Sequence, residues 1–170
     1  LHPWYVKERG PAWLETLRDH LQSHPQAVVG ETGLDRWIEN SDVELQVRMM
    51  LQQLGIAAHN NRPATVHCLR AFGLLDETLR SSPLPDRGFL LHSYGGPVEM
   101  VEGFAKLGAY FSISPYFLHE RKSRQRETFR TVPIERLLVE TDAPDMWPPD
   151  AINPHPLSDT ADKPINHPAN

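Results

Sequence analysis

Short apolar runs alternate with segments of helical period along most of this chain, and that alternation leaves few folds open. "AVVGE" (27–31), "ATVHC" (64–68), "GFLLHS" (88–93), "AYFSIS" (109–114) and "RLLVET" (136–141) read as strands. Between them, residues 43–60 place Val47, Leu51, Leu54 and Ala58 at helical spacing, and "AFGLLDETLR" does the same with Phe72, Leu75 and Leu79. Pro97 opens a further helix that Gly108 stops, and a charged helix is expected over 120–131. Pro11 precedes a helix carrying Leu14, Leu17 and Leu21. Near-continuous apolar strands joined by helices imply a parallel sheet covered by helices, an α/β fold. The proline-rich tail, 143–170, lacks a period and is expected to be a loop over the sheet's edge.

The chain has 170 residues, enough for a single domain spanning 1–170. Its formal charge of −5 argues against binding nucleic acid through a broad basic surface. The basic run "ERKSRQRETFR" reads first as a solvated helix face. A lone cysteine, Cys68, precludes an internal disulfide and fits a reducing, cytoplasmic setting. Strand alternation turns Cys68 away from His67, so a buried, inert thiol is expected. No apolar run approaches the ~18 residues of a membrane span, and no obligate protein partner is implied.

Four of the five strands end in residues able to hold a metal: Glu31, His67, His92 and Asp142. In a parallel α/β fold those ends share one side, where active sites of barrel enzymes are built. Any one of these alone would read as a hydrogen-bonded rim residue. Together, imidazoles and carboxylates form a donor set for Zn²⁺, Mn²⁺ and similar ions. The stretch "LLVETDAPD" (137–145) poses the same question, because an apolar strand running into Glu140 and Asp142 needs a countercharge.

The stretches "LHPWY", "VVGETGLDRW", "PATVHC", "LLHSYGG", "YFSISP", "LLVETDAPD" and "INHPAN" resemble, in order, the TatD-type metal-dependent hydrolases, a family of deoxyribonucleases. The resemblance implies a TIM-type (β/α)8 barrel with about two divalent ions, Mg²⁺, Mn²⁺ or Zn²⁺, at a complete site. It implies Glu31 as a bridging ligand and catalytic group, His67 and His92 as ligands of one ion, and Asp142 as ligand of the other or holder of the attacking water. Glu140 becomes a support for the ligands or the partner of a nearby donor, and His2, Arg70 and Tyr94 fall near the substrate. That substrate is DNA or another phosphodiester.

The chain departs from the family pattern at Thr32, commonly Ile, and at Leu69, which takes the place of an arginine, with Arg70 one step later. It departs again at "HSYGG" (92–96), where the family usually reads His-Cys-Phe-Ser-Gly. The family's N-terminal His-x-His strand and last helix have no counterpart, and five strands stand where a barrel needs eight. The expectation is therefore an incomplete barrel that by itself aggregates or binds metal weakly. An amidohydrolase-like C–N or lactone hydrolase, or an inactive interaction module, are the alternative readings.

Overall fold

The computed structural model describes residues 1–170. Seven strands and five α-helices follow in chain order: α1 (Trp13–Ser23), β1 (Val29–Asp35), α2 (Val43–His59), β2 (Ala64–Leu69), α3 (Phe72–Arg80), β3 (Phe89–Leu91), α4 (Val101–Lys106), β4 (Ala109–Ile113), α5 (Ser123–Phe129), β5 (Leu137–Val139), β6 (Leu157–Ser158) and β7 (Pro164–Ile165). Strands β1 to β5 run in chain order in an open sheet. The pairs β1–β2, β2–β3 and β4–β5 are parallel. This is the expected α/β architecture, with five strands that do not close into a barrel. No helix is long and apolar enough to cross a membrane.

The chain divides into two compact units, Leu1–His92 with Gly103–Tyr110, and Ser93–Glu102 with Phe111–Asn170. In the first unit, β1 and β2 pair with Gly33 opposite His67 and Asp35 opposite Leu69, after an irregularity between Val29 and Thr32. Ala64 to Val66 of β2 then pair with Phe89 to Leu91 of β3. The core is built from Val29 and Leu34 of β1, Met50, Leu54 and Ala57 of α2, Val66 of β2, Leu75 and Leu79 of α3, and Phe89 and Leu91 of β3.

Helix α2 starts where the Asp42 carboxylate accepts the Leu45 N–H at 2.9 Å, satisfying one of the orphan donors of the first turn. Its buried face differs from the sequence expectation. Leu45, Gln46, Met49, Met50, Gln53, Leu54, Ile56 and Ala57 are buried, whereas Val47, Leu51 and Ala58 lie at the margin. The reason is polar. Gln46 accepts the Asp35 N–H at 2.9 Å and donates to the Asp35 carbonyl at 3.2 Å, and Gln53 donates to Thr32 Oγ1 at 2.7 Å. Two glutamines thus dock the helix on the backbone and a hydroxyl of β1, and a reading from apolar spacing alone misses them. Helix α3 buries the expected Leu75 and Leu79, and Asp76 pairs with Arg80 at 2.8 Å on its outer side.

In the second unit, Phe111, Ser112 and Ile113 pair with Leu137, Leu138 and Val139. Here "LLVETDAPD" corrects the expectation of a core strand. β5 is only three residues long and ends the sheet order, so one edge has no neighbouring strand. Leu138 is 45% exposed and Val139 81% exposed. The charged segment is also shorter than expected: a 3-10 turn over 120–122 leads into α5. Within it, Arg126 donates to the carbonyls of Phe117 and His119 at 2.8 and 2.7 Å, a structural use of one of its cations. The tail is mostly irregular but carries the antiparallel pair β6–β7. Asn166, buried in the tail, donates to the carbonyls of Thr141 at 2.6 Å and Met146 at 3.3 Å.

Gly33 has φ of +140°, and a Cβ placed there would lie 1.9 Å from the His67 carbonyl oxygen. The close approach of β1 to β2 at this pair requires glycine. Gly33→Ala is expected to destabilise the chain by about 2–4 kcal/mol, in the range of severe backbone and packing lesions. The shift of the urea midpoint measures this.

Candidate metal centre

Three of the four expected ligands come together in the first unit, and His2 joins them. The Glu31 Oε2 atom faces His2 Nε2 at 3.7 Å and His67 Nδ1 at 3.9 Å. The Glu31 Oε1 atom faces His92 Nε2 at 3.9 Å. One carboxylate therefore has imidazole nitrogens on both oxygens. Ligand atoms about 2.0–2.2 Å from a shared ion lie roughly 3–4 Å apart, and these spacings match. His2, Glu31 and His67 bring their donor atoms within 4.8 Å of one another. His2 had been expected near the substrate, and the structure gives it a ligand's position. It precedes a 3-10 turn over 3–5, its Nδ1 accepts the Trp4 N–H at 3.3 Å, and Nε2 is left facing Glu31. Burial, then the neighbouring His67, push the His2 imidazole down to about 4. At neutral pH its ring is uncharged, as a metal ligand must be.

Glu31 does not end its strand, as its position after "AVVG" had suggested. β1 continues four residues further to Asp35, which the sequence reading passed over. Asp35 is fully buried, 0% exposed. Its Oδ2 lies 2.9 Å from His67 Nε2 and accepts the Trp4 Nε1–H at 2.7 Å, while its Oδ1 accepts the Trp37 N–H at 2.7 Å. Burial alone raises its carboxyl, but the donors from Trp4, Trp37 and His67 outweigh it and hold the group below the ordinary range. An ionised Asp35 takes the proton on His67 Nε2 as a hydrogen bond, leaving the Nδ1 lone pair directed at Glu31. A carboxylate behind a ligating imidazole fixes both ring orientation and tautomer. The signal was present in "GETGLD": Glu31, Gly33 and Asp35 share one strand face at period two.

The other expected site residues have the following surroundings. Arg70, at φ +54°, turns out of β2 and stacks its guanidinium on Trp37 at 3.9 Å. Tyr94, expected near the substrate, is 1% exposed, and its hydroxyl donates to the Pro97 carbonyl at 2.7 Å. It is a buried support of the loop it begins. Ser93, Tyr94, Glu140 and Asp142 belong to the second unit. Glu140 acts as the partner of a donor: its Oε1 accepts the Ser93 N–H at 3.0 Å and also the Ser93 hydroxyl, gripping the residue that follows His92. Asp142 adopts φ of +58°, in a segment tied to the tail by Asn166.

A family model described as "TatD related DNase" matches residues 1–168. The chain belongs to the TatD-related DNase family. The "Uncharacterized metal-dependent hydrolase YjjV" of Escherichia coli (strain K12) is 32% identical over 148 residues, covering 86% of this chain and 57% of that protein. The "3'-5' ssDNA/RNA exonuclease TatD" of the same strain is 36% identical over 144 residues, covering 81% and 54%. The crystal structure of the E. coli YjjV homologue superposes with a TM-score of 0.81 at 30% identity, over 88% of this chain and 58% of that one. A TatD-family hydrolase from Entamoeba histolytica shares the fold with a TM-score of 0.70. The chain spans a little over half the length of these relatives, 57% and 54% for the two E. coli proteins.

Two outcomes are expected. Asp35→Asn keeps the shape but removes the acceptor that orients His67, and it should weaken Mn²⁺ or Zn²⁺ binding by about 10–100-fold, read by titration calorimetry. Burial pushes the Cys68 thiol up to about 12, so it carries almost no thiolate at pH 8. Native protein should resist a thiol reagent at that pH and react quickly once unfolded.

Proposed function

We propose that the protein is a metal-dependent phosphodiester hydrolase of deoxyribonuclease type, with Glu31, His67, His92 and His2 as metal ligands. The observation that carries this reading is the Glu31 carboxylate flanked by imidazoles on both oxygens. Its donors suit about two divalent ions, Mg²⁺, Mn²⁺ or Zn²⁺, which when bound would lower the pKa of an attacking water and clamp a phosphoryl group. Glu31 would hold them, with one oxygen on the side of His2 and His67 and the other on the side of His92. Asp35 holds the His67 ring so that Nδ1 faces Glu31. Glu140 fixes the backbone immediately after His92 through Ser93. By the family resemblance, Asp142 would be ligand of a second ion or holder of the attacking water. The name of the E. coli relative, a 3'-5' exonuclease on single-stranded DNA and RNA, supports the same substrate class for this chain. The lone buried thiol accords with a cytoplasmic site of action.

Glu31→Gln removes the bridging charge while keeping the side chain's size. It should cut hydrolysis of a labelled DNA strand by more than the about 10–100-fold that loss of an outer supporting group costs, with metal content falling in parallel. Each variant is assayed on phosphodiester, amide and lactone substrates. Turnover of amides or lactones with inert phosphodiesters would replace this reading with the amidohydrolase one.

A further inference from the structure

Two tryptophans bonded to Asp35, Trp4 through its indole N–H and Trp37 through its backbone N–H, leave much of their surface exposed. Trp37 is 62% exposed and Trp4 48% exposed, although a buried indole contributes some of the largest apolar areas in a fold. Both are fixed by the same buried carboxylate. Asp35 accepts the Trp4 indole N–H and the Trp37 backbone N–H, each at 2.7 Å. The same Asp35 also meets the candidate ligand His67 at 2.9 Å. The Trp4 ring stands edge-on to His2 at 4.9 Å and lies 6.4 Å from His67. Over Trp37 lies the Arg70 guanidinium, 3.9 Å from the ring centroid. Arg70 reaches this position because its left-handed backbone turns it out of β2, at the point where the family pattern shifts by one residue.

We infer that Trp4, Trp37 and the Arg70 guanidinium form a stacking rim that takes unpaired nucleobases next to the metal cluster. The inference rests on the phosphodiesterase reading above and adds how the substrate is gripped. Aromatic faces and arginine planes are the groups on which splayed bases stack, and they do so with little regard to sequence. Double-stranded DNA keeps its bases stacked on one another, so a rim of this kind selects single strands. The charge of the chain points the same way. At −5 overall, long-range attraction to phosphates is weak, and stacking must supply much of the grip. Because one carboxylate holds the Trp4 indole, the Trp37 backbone and His67, the fold limits the spacing between a base stacked on this rim and a phosphate at the cluster. Arg70 has a second use there, since a stacked guanidinium keeps N–H groups at its rim free to meet a backbone phosphate.

The test compares a 5'-labelled oligothymidylate with an equally long abasic deoxyribose-phosphate oligomer, by fluorescence anisotropy in the presence of chelator, so that nothing is cleaved. The native chain should bind the base-bearing oligomer about 10-fold or more tightly than the abasic one. Trp37→Ala and Arg70→Ala should remove most of that difference, and Trp37→Phe, which keeps a ring, should retain most of it. With metal restored, Trp37→Ala should raise KM and leave kcat nearly unchanged. Equal binding of the two oligomers by the native chain, or undiminished discrimination in Trp37→Ala, would overturn the inference. The two readings separate cleanly. Base preference without hydrolysis on adding metal keeps the rim and removes the proposed activity, whereas hydrolysis without base preference does the reverse.

Discussion

A single buried carboxylate, Asp35, organises the end of the first unit that carries the candidate metal ligands. Side chains of this type are rarely found without solvent unless every lone pair is used. Asp35 meets that condition with an indole N–H, a backbone N–H and an imidazole, all within 2.9 Å. Its own backbone N–H and carbonyl are taken by Gln46 of α2. The residue therefore links three layers of the structure: the helix behind β1, the neighbouring strand β2 through His67, and the chain's first turn through Trp4. Removing the charge weakens all three hydrogen bonds and leaves too few acceptor sites for the three donors, so the network holds together as a unit.

Strand β1 carries this burden because of what it omits. Gly33 has no side chain where β2 comes closest, and His67 lies in register with it. The imidazole can then sit between Glu31, two residues before Gly33, and Asp35, two residues after. A carboxylate on either side of the ring gives it one acceptor for its proton and one neighbour for its lone pair. The buried glutamines of α2 matter for the same reason. They hold β1 by amide hydrogen bonds at Thr32 and Asp35, whose directionality fixes the strand's height against the helix more closely than apolar contact could.

Much of this was legible in the sequence, and the failures have physical causes. Apolar runs revealed the strand order, and the position of metal-capable residues at strand ends singled out Glu31, His67 and His92, which the structure brings together. His2 was placed near the substrate and not among the ligands, because a histidine just before a 3-10 turn carries no periodic signal. Asp35 was hidden by ending β1 at its first charge. A buried acid satisfied entirely by protein donors looks, in sequence, like the polar end of a strand. The face of α2 was misjudged because buried glutamines break the apolar period. β5 was misread in the opposite sense: "RLLVET" has the composition of a core strand, yet burial depends on neighbours that composition does not report. Arg70 and Tyr94 were singled out by resemblance to a pattern, which does not report the left-handed turn that stacks Arg70 on Trp37 or the hydroxyl by which buried Tyr94 holds Pro97.

The amide of Asn166 has a bearing on motion. By reaching back to Thr141 it closes a loop of 25 residues around Asp142. Closing a flexible loop of that length costs about 3 kcal/mol in chain entropy before any constant term. Against this stand three hydrogen bonds from Asn166, to Thr141, Met146 and Pro144, each contributing about 1 kcal/mol net. The two sides nearly cancel. The tie through Asn166 is therefore marginal by itself, and amide hydrogen exchange around Asp142 should run ahead of exchange in β1 and β2. The backbone around Asp142 is then a place where this unit could rearrange while β4 and β5 stay paired.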